Sequence, residues 1–252
     1  MTEAAISHRV SHWQAYRLLV RWRVAGMRTL LPANSAVQLA MSCISVFGLV
    51  VLLPDLDDAT ARYLVTGGPT LGLITLGLVI TPAQLTSTRI GGATDPVELL
   101  PVSALVRVFA TLTPWLFVAL PGLIVSVALS AVALHVSLSP NAMILMTALV
   151  VPLTTGAVGY AVATSLKPEL ANPLSALLLL LVMFFSPINF PVERLPGWLA
   201  AIENVLPFGH MADLMRYSLT GSTWPGAAAL LVISAWFALS CCLAWWAATR
   251  RR

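Results

Sequence analysis

His8 and His12 stand four residues apart, a spacing that sets two imidazoles on one helix face and would suit a metal ion. Two ligands do not complete a coordination shell, so a surface helix is the better reading and no metal site is expected. His135 and His210, like the first pair, lie outside or at the edges of apolar runs, so no Ser–His dyad can be assembled within a membrane. Lys167 is the one lysine, and Leu166-Lys167-Pro168 has none of the Gly-rich turn with which a P-loop holds phosphates. Cys43, Cys241 and Cys242 fall in apolar stretches and read as small buried hydrophobes, not as a disulfide framework. No catalytic residue is therefore expected, and no cofactor bound by this chain.

The elements that would carry any function are membrane helices. Of 252 residues 58% are hydrophobic and 10% charged, and the mean hydropathy of +0.88 is too high for a domain whose main solvent is water. Seventeen prolines and fifteen glycines fit the same picture, because membrane helices tolerate both. A spanning helix needs about 20 mostly apolar residues, and six such stretches lie near 36–53, 63–82, 105–134, 142–166, 173–190 and 226–248. The third is too long for one straight crossing, and Pro114 and Pro121 make it kinked or partly interfacial.

Ahead of the spans, Trp13, Tyr16, Val20, Val24, Met27 and Leu31 recur at helical spacing while Arg17, Arg21 and Arg28 lie on another face. That pattern predicts an amphipathic helix on a membrane surface, ended by Pro32 and Asn34, in an N-terminus that is retained and not cleaved as a signal. Packing of that helix on another protein is the plainer alternative. Eleven of the fourteen basic residues fall in the N-terminal segment, the 83–107 and 167–172 loops and the C-terminus. The positive-inside rule then puts both termini in the cytoplasm, in accord with an even number of spans.

Between their ends the spans hold no Asp, Glu or Lys, and only Arg107 approaches a boundary. An ion-coupled carrier needs an ionisable residue near the midplane, and a channel with a charged filter needs a ring of them. A backbone-carbonyl filter stays open, as do a partner-independent carrier and an intramembrane enzyme, yet energy is expected to come from outside the chain.

Two segments outside the spans carry positive information. In Ser87-Thr88-Arg89-Ile90-Gly91-Gly92-Ala93-Thr94-Asp95-Pro96-Val97-Glu98-Leu99-Leu100-Pro101-Val102-Ser103 the glycines allow a tight turn and a short helix follows, with Asp95 or Thr94 as cap and Glu98 in its first turn. An ordinary connecting loop with one helical turn would read the same way. The run from Phe184 to Thr223 is too polar and Pro-rich to span, yet apolar enough to re-enter the membrane surface as short helices. Glu193 with Arg194, and Asp213 with Arg216, are expected to pair locally in a structural role.

These two segments and the six-span layout resemble the ABC-2 type transporter permeases, the membrane subunits of bacterial ABC exporters. The most specific matches are Ser186-Pro187 through Pro196-Gly197-Trp198, Leu206-Pro207-Phe208, Asp213-Leu214-Met215-Arg216 before Gly221, and Glu98-Leu99-Leu100-Pro101-Val102-Ser103. The resemblance implies an all-α membrane protein of the type V, ABCG-like exporter fold, with six transmembrane helices and short re-entrant helices between spans five and six. It implies an N-terminal connecting helix over 1–33, bearing Trp13, Arg17 and Arg21, and a six-span domain over 34–252. Within that domain 87–103 holds the coupling helix, with Arg89, Gly91, Gly92, Asp95 and Glu98 facing the ATPase, and 186–223 forms the external segment.

Two ABC ATPase subunits binding ATP and Mg²⁺, a second identical or homologous permease, and membrane lipids are the implied partners, and no nucleic acid. Spans two and five face the pathway in this family, which makes Thr66, Thr70, Leu73, Thr75, Leu178, Val182 and Phe185 pathway candidates by helical position, with ordinary helix packing as the alternative. The expected location is the bacterial inner membrane. The expected cargo is hydrophobic or amphiphilic, a drug, antibiotic or lipid moved outward.

Overall fold

The computed structural model describes residues 11–52, 57–90 and 102–250, and among them every regular element is helical. The amphipathic segment forms α1 (His12–Gly26), begun where Gln14 Oε1 accepts from the Ser11 N–H at 3.3 Å. Its packed side is Ala15, Tyr16, Leu19 and Val20, set against Val102, Val106 and Ala110. Trp13, Leu18 and Trp22 are exposed together with Arg17 and Arg21. The helix ends before Pro32: α2 (Leu30–Leu52) already begins at Leu30, so Pro32 lies in its first turn. A proline there costs nothing, since its missing N–H would have no intrahelical partner anyway.

After α2 comes α3 (Asp58–Thr75), capped by Asp57, whose carboxylate accepts from the Thr60 N–H at 3.1 Å. The chain then passes through one π-helical turn, Leu76–Ile80, into α4 (Thr81–Ile90). These three make one helical rod of 32 residues over Asp58–Arg89, longer than the 63–82 span expected, because nothing breaks the pattern before Gly91-Gly92. Next is α5 (Ala104–Leu134), capped by Ser103 and unbroken through Pro114 and Pro121. At 1.5 Å per residue its 31 residues reach about 46 Å, well beyond an apolar bilayer core of about 30 Å. Toward its start, Ala110 and Thr113 pack on α1.

The remaining long helices are α6 (Met143–Ser165), α7 (Pro168–Phe185) and α10 (Gly226–Thr249). Between the last two, a 3₁₀ turn (Val192–Arg194) leads to α8 (Gly197–Glu203) and α9 (Pro207–Thr220), the short helices expected in the 186–223 segment. Pro168 and Pro207 open their helices at the first position, and Gly221, with φ 62°, closes α9 in the left-handed conformation that glycine adopts without strain. Five helices among the described residues are long and apolar enough to cross a membrane: the Asp58–Arg89 rod, α5, α6, α7 and α10. The first expected span, 36–53, overlaps α2 up to its last residue, Leu52, and α2 is 23 residues long.

Burial is uneven among these helices. The apolar window of the Asp58–Arg89 rod is 94% buried and that of α7 only 17%, so the rod is the axis of the fold and α7 its least covered long helix. Small residues let neighbours approach the rod closely, the usual route to tight packing where lipid supplies no hydrophobic drive. A Cβ added at Gly68 would lie 2.6 Å from Val46 Cγ2, and one at Gly72 2.6 Å from Ser42 Oγ. In the π-helical turn, Gly77 meets Thr155 and Gly156 of α6, and Gly159 meets the Gly77 carbonyl, backbone against backbone.

Along α2 a polar stripe, Asn34, Gln38, Ser42 and Ser45, is buried at spacings of four, four and three. Gln38 donates to the Ala119 carbonyl at 3.2 Å and Ser42 to the Gly68 carbonyl at 3.1 Å, while Ser45 receives the Asn189 amide at 2.9 Å. The amide oxygens of Gln38 and Asn189 fill the side-chain space that Gly122 and Gly67 leave open, where only Cα–H groups can meet them.

Candidate functional site

Three arginines fasten helix ends together, and their positions define the working ends of the molecule. Arg89, in the last turn of α4, donates to the Ala163 carbonyl in the last turns of α6. Arg107, buried near the start of α5, donates to the Ala248 carbonyl at 3.1 Å, at the end of α10. Both cations thus sit at helix C-termini, where the carbonyls lack intrahelical donors and the macrodipole is negative. Of the residues expected to couple to an ATPase, Arg89 is the one described, and it is tied into the fold of its own chain. Gly91, Gly92, Asp95 and Glu98 lie outside the described residues.

The third arginine, Arg216 on α9, holds the opposite end of the rod. It is 7% exposed, lies 3.8 Å from the centroid of the Tyr63 ring, donates to the Ile188 carbonyl at 3.1 Å and forms an ion pair with Asp213. One guanidinium therefore joins α9, the start of α3 and the turn after α7. The Asp213–Arg216 pairing expected from sequence is present, and the ring and carbonyl contacts add to it.

Glu203 organises the other half of the same segment. Its carboxylate accepts from Ser186 Oγ at 2.8 Å and from the Gly209 N–H, which belongs to the first turn of α9. Leu206 offers α9 no side-chain cap, so the upstream carboxylate takes that role. Burial pushes the Glu203 carboxyl above the usual glutamate range, with the Ser186 hydrogen bond and nearby His210 acting in the opposite direction. A raised carboxyl means that folding disfavours the ionised form. Its contribution to stability is complete below the ordinary glutamate range and is lost as pH rises through the raised value. Thermal melting followed from below that range upward should show the wild type losing stability, whereas Glu203→Gln, which keeps the Ser186 contact, should flatten the profile. An unchanged slope in the variant would assign the pH dependence to another group.

The seven pathway candidates separate into two sets. Thr66, Thr70, Leu73 and Thr75 are all buried inside the chain, and the three hydroxyls donate to the carbonyls of Arg62, Thr66 and Leu71 respectively. Leu178, Val182 and Phe185 line a half-open cavity of about 440 Å³ between α7, α8, the start of α9, α6 and α10. Of the connecting-helix residues, Arg17 and Arg21 are exposed, and Trp13 stacks on Tyr16 with ring centroids 5.5 Å apart. Tyr16 in turn shares a 2.8 Å hydrogen bond with Thr113 of α5. Sequence reasoning missed the α2 stripe and the capping role of Glu203. The first was readable from the spacing 34, 38, 42, 45, whereas the second depends on a turn that no local pattern marks.

An all-helical chain with several bilayer-length apolar helices, arginine-fastened at both ends of a buried central rod, defines a multi-pass membrane protein. The family model for the ABC-2 type transporter matches residues 93–220, half of the chain. The chain belongs to the ABC-2 type transporter family, and is thus the permease subunit of an ABC transporter that works with an ABC ATPase. Among curated proteins no significant match to the chain is found.

Proposed function

We propose that this permease works as one of a pair, identical or homologous, that two ATPase subunits drive through alternating access to export a hydrophobic or amphiphilic molecule, a drug, antibiotic or lipid. Both termini and the 87–103 segment then face the cytoplasm of a bacterial inner membrane, and the 186–223 segment faces outward. Residues 1–33 carry the connecting helix, α1, and 34–252 form the membrane domain. The observation that carries this reading is the continuous rod of Asp58–Arg89. One end adjoins the coupling segment through Arg89, and the other lies under Arg216 of the outer segment through Tyr63.

A displacement imposed by ATP at the cytoplasmic end reaches the outer end through one helix, with the π-helical turn at Leu76–Ile80 as the place where its geometry can change. The spans bring no Asp, Glu or Lys to the route, which favours apolar cargo over ion-coupled transport.

The test is co-expression with the ATPase encoded beside this chain, purification through a tag on the permease, and vanadate-sensitive ATP hydrolysis in lipid nanodiscs. Retained ATPase with turnover and outward movement of a hydrophobic dye in vesicles supports the reading. A permease that purifies alone in detergent and in lipid would overturn it. In the same system Glu98→Lys should lower dye transport at least tenfold with the permease still folded. Arg89→Ala should lower both transport and thermal stability, because Arg89 also ties α4 to α6. Undiminished ATP-driven transport in Glu98→Lys would remove that residue from the coupling interface.

A further inference from the structure

The 440 Å³ cavity beside α7 presents almost nothing but hydrocarbon, although five of its lining residues carry polar groups, one of them the exposed Trp198. The other four groups are already used by the chain itself. The Thr154 and Thr155 hydroxyls donate to the Val150 and Val151 carbonyls at 2.7 and 2.9 Å, and the Trp236 indole donates to the Val205 carbonyl at 2.7 Å. The Glu203 carboxylate is held by Ser186 and Gly209.

Water in such a space would lack the two to four polar partners it needs, so the cavity does not fill from the aqueous side. A ligand that buried a charge or a hydrogen-bonding group there would leave it unpaired. The volume lies within the range of about 300–1,000 Å³ typical of small-molecule sites, far too large for packing defects to account for it. At its mouth stand Leu181, Phe185 and Trp198, exposed by 44%, 46% and 65%, so the interior is continuous with an apolar surface of a membrane protein.

We propose that this cavity holds one hydrocarbon chain of a membrane lipid, whose headgroup stays outside, and not a cargo molecule. The bound chain lies between α7 and the wall built by α6 and α10. It supplies packing that α7, buried over only 17% of its apolar window, does not obtain from its own chain. The lipid then acts as a removable part of the core: with it α7 is held against the body, and without it α7 is loosened. This depends on the apolar wall and not on ATP, so it can be tested apart from export.

The probe is a phosphatidylethanolamine carrying a diazirine in one acyl chain, incorporated into nanodiscs with the permease–ATPase complex and photolysed, with adducts mapped by peptide mass spectrometry. Adducts are expected on residues 178–185 and 198–208. Val158→Phe and Leu178→Phe, which fill the cavity from α6 and from α7, should reduce them at least fivefold while labelling of Leu231, exposed on α10, is unchanged. The two variants enter from different helices, and either one that elutes as a folded complex suffices. Lining residues left unlabelled while Leu231 is labelled would overturn the proposal, as would undiminished adducts in a folded filled variant. Displacement of the adducts by a transported dye would also overturn it, by making the cavity part of the cargo route.

Discussion

Gly77→Val is expected to leave no folded, monodisperse permease after extraction. Gly77 lies in the π-helical turn, flanked by fully buried Leu76 and Leu78, where the rod crosses α6. A Cβ there overlaps Thr155 Oγ1 and the Gly156 backbone nitrogen, and the Gly77 carbonyl already occupies the side-chain space of Gly159. Overpacking an ordinary core costs about 1–3 kcal/mol because side chains can shift. Here two of the three nearest obstacles are backbone atoms of α6, the Gly156 nitrogen and the Thr155 carbonyl carbon, so relief requires separating the rod from α6, and the cost should exceed that range. Gly48→Ala is the control: a Cβ there meets nothing within 4 Å, and the gain in helix propensity should leave stability equal or up to about 1 kcal/mol higher. Size-exclusion profiles and thermal unfolding of both variants decide the matter, and a Gly77→Val protein that melts like wild type would mean that the two helices do not cross at this point.

Arg216→Ala should be the most damaging change of a charged residue, lowering stability by about 2–5 kcal/mol, the range for losing one hydrogen bond from a charged donor together with one desolvated cation–π contact. The loss falls on the contacts that are buried, the Tyr63 ring and the Ile188 carbonyl, and on the cavity left by the side chain. Asp213 contributes less: its side chain is 50% exposed, so solvent screens the pair, and Asp213→Asn should cost less than about 1 kcal/mol. Arg216→Lys keeps the charge but neither the flat stacking over Tyr63 nor the forked donors, and should fall between the two. Equal melting losses for Asp213→Asn and Arg216→Ala would show that the ion pair, and not the ring and carbonyl, holds the outer segment.

Much of the architecture was legible because the bilayer imposes a length on every apolar run. The stretches 105–134, 142–166 and 226–248 match α5, α6 and α10 within a few residues. The Pro-rich segment after α7 yielded its short helices for the same reason in reverse, since Pro191, Pro196 and Pro207 forbid one long helix there. What escaped was the inner face of each helix. Apolar periodicity marks a boundary with water, but inside a membrane both faces are apolar, so the burial of Thr66, Thr70 and Thr75 within the chain could not be told from exposure to a pathway. The π-helical turn escaped as well, because Leu76–Ile80 is apolar throughout and its periodicity does not tell one kind of helical turn from another. The coupling segment was singled out from Ser87 onward, but the tie of Arg89 to the end of α6 is a tertiary contact that the local pattern does not mark.

The polar stripe of α2 also bears on how the protein is made. A helix that carries Asn34, Gln38, Ser42 and Ser45 along one side enters a bilayer with those groups facing hydrocarbon until the rod and α5 arrive to receive them. The rod is in the same position, with four glycines and several threonines and hardly any surface for lipid. Neither can rest alone in the membrane as comfortably as α10, whose flanks are leucine and tryptophan. The first half of the chain must therefore stay close to the site of synthesis, helix beside helix, until residue 122 has been inserted and Gln38 meets Gly122. A ribosome stalled before that point should leave α2 and the rod open to membrane proteases, and one stalled after it should not.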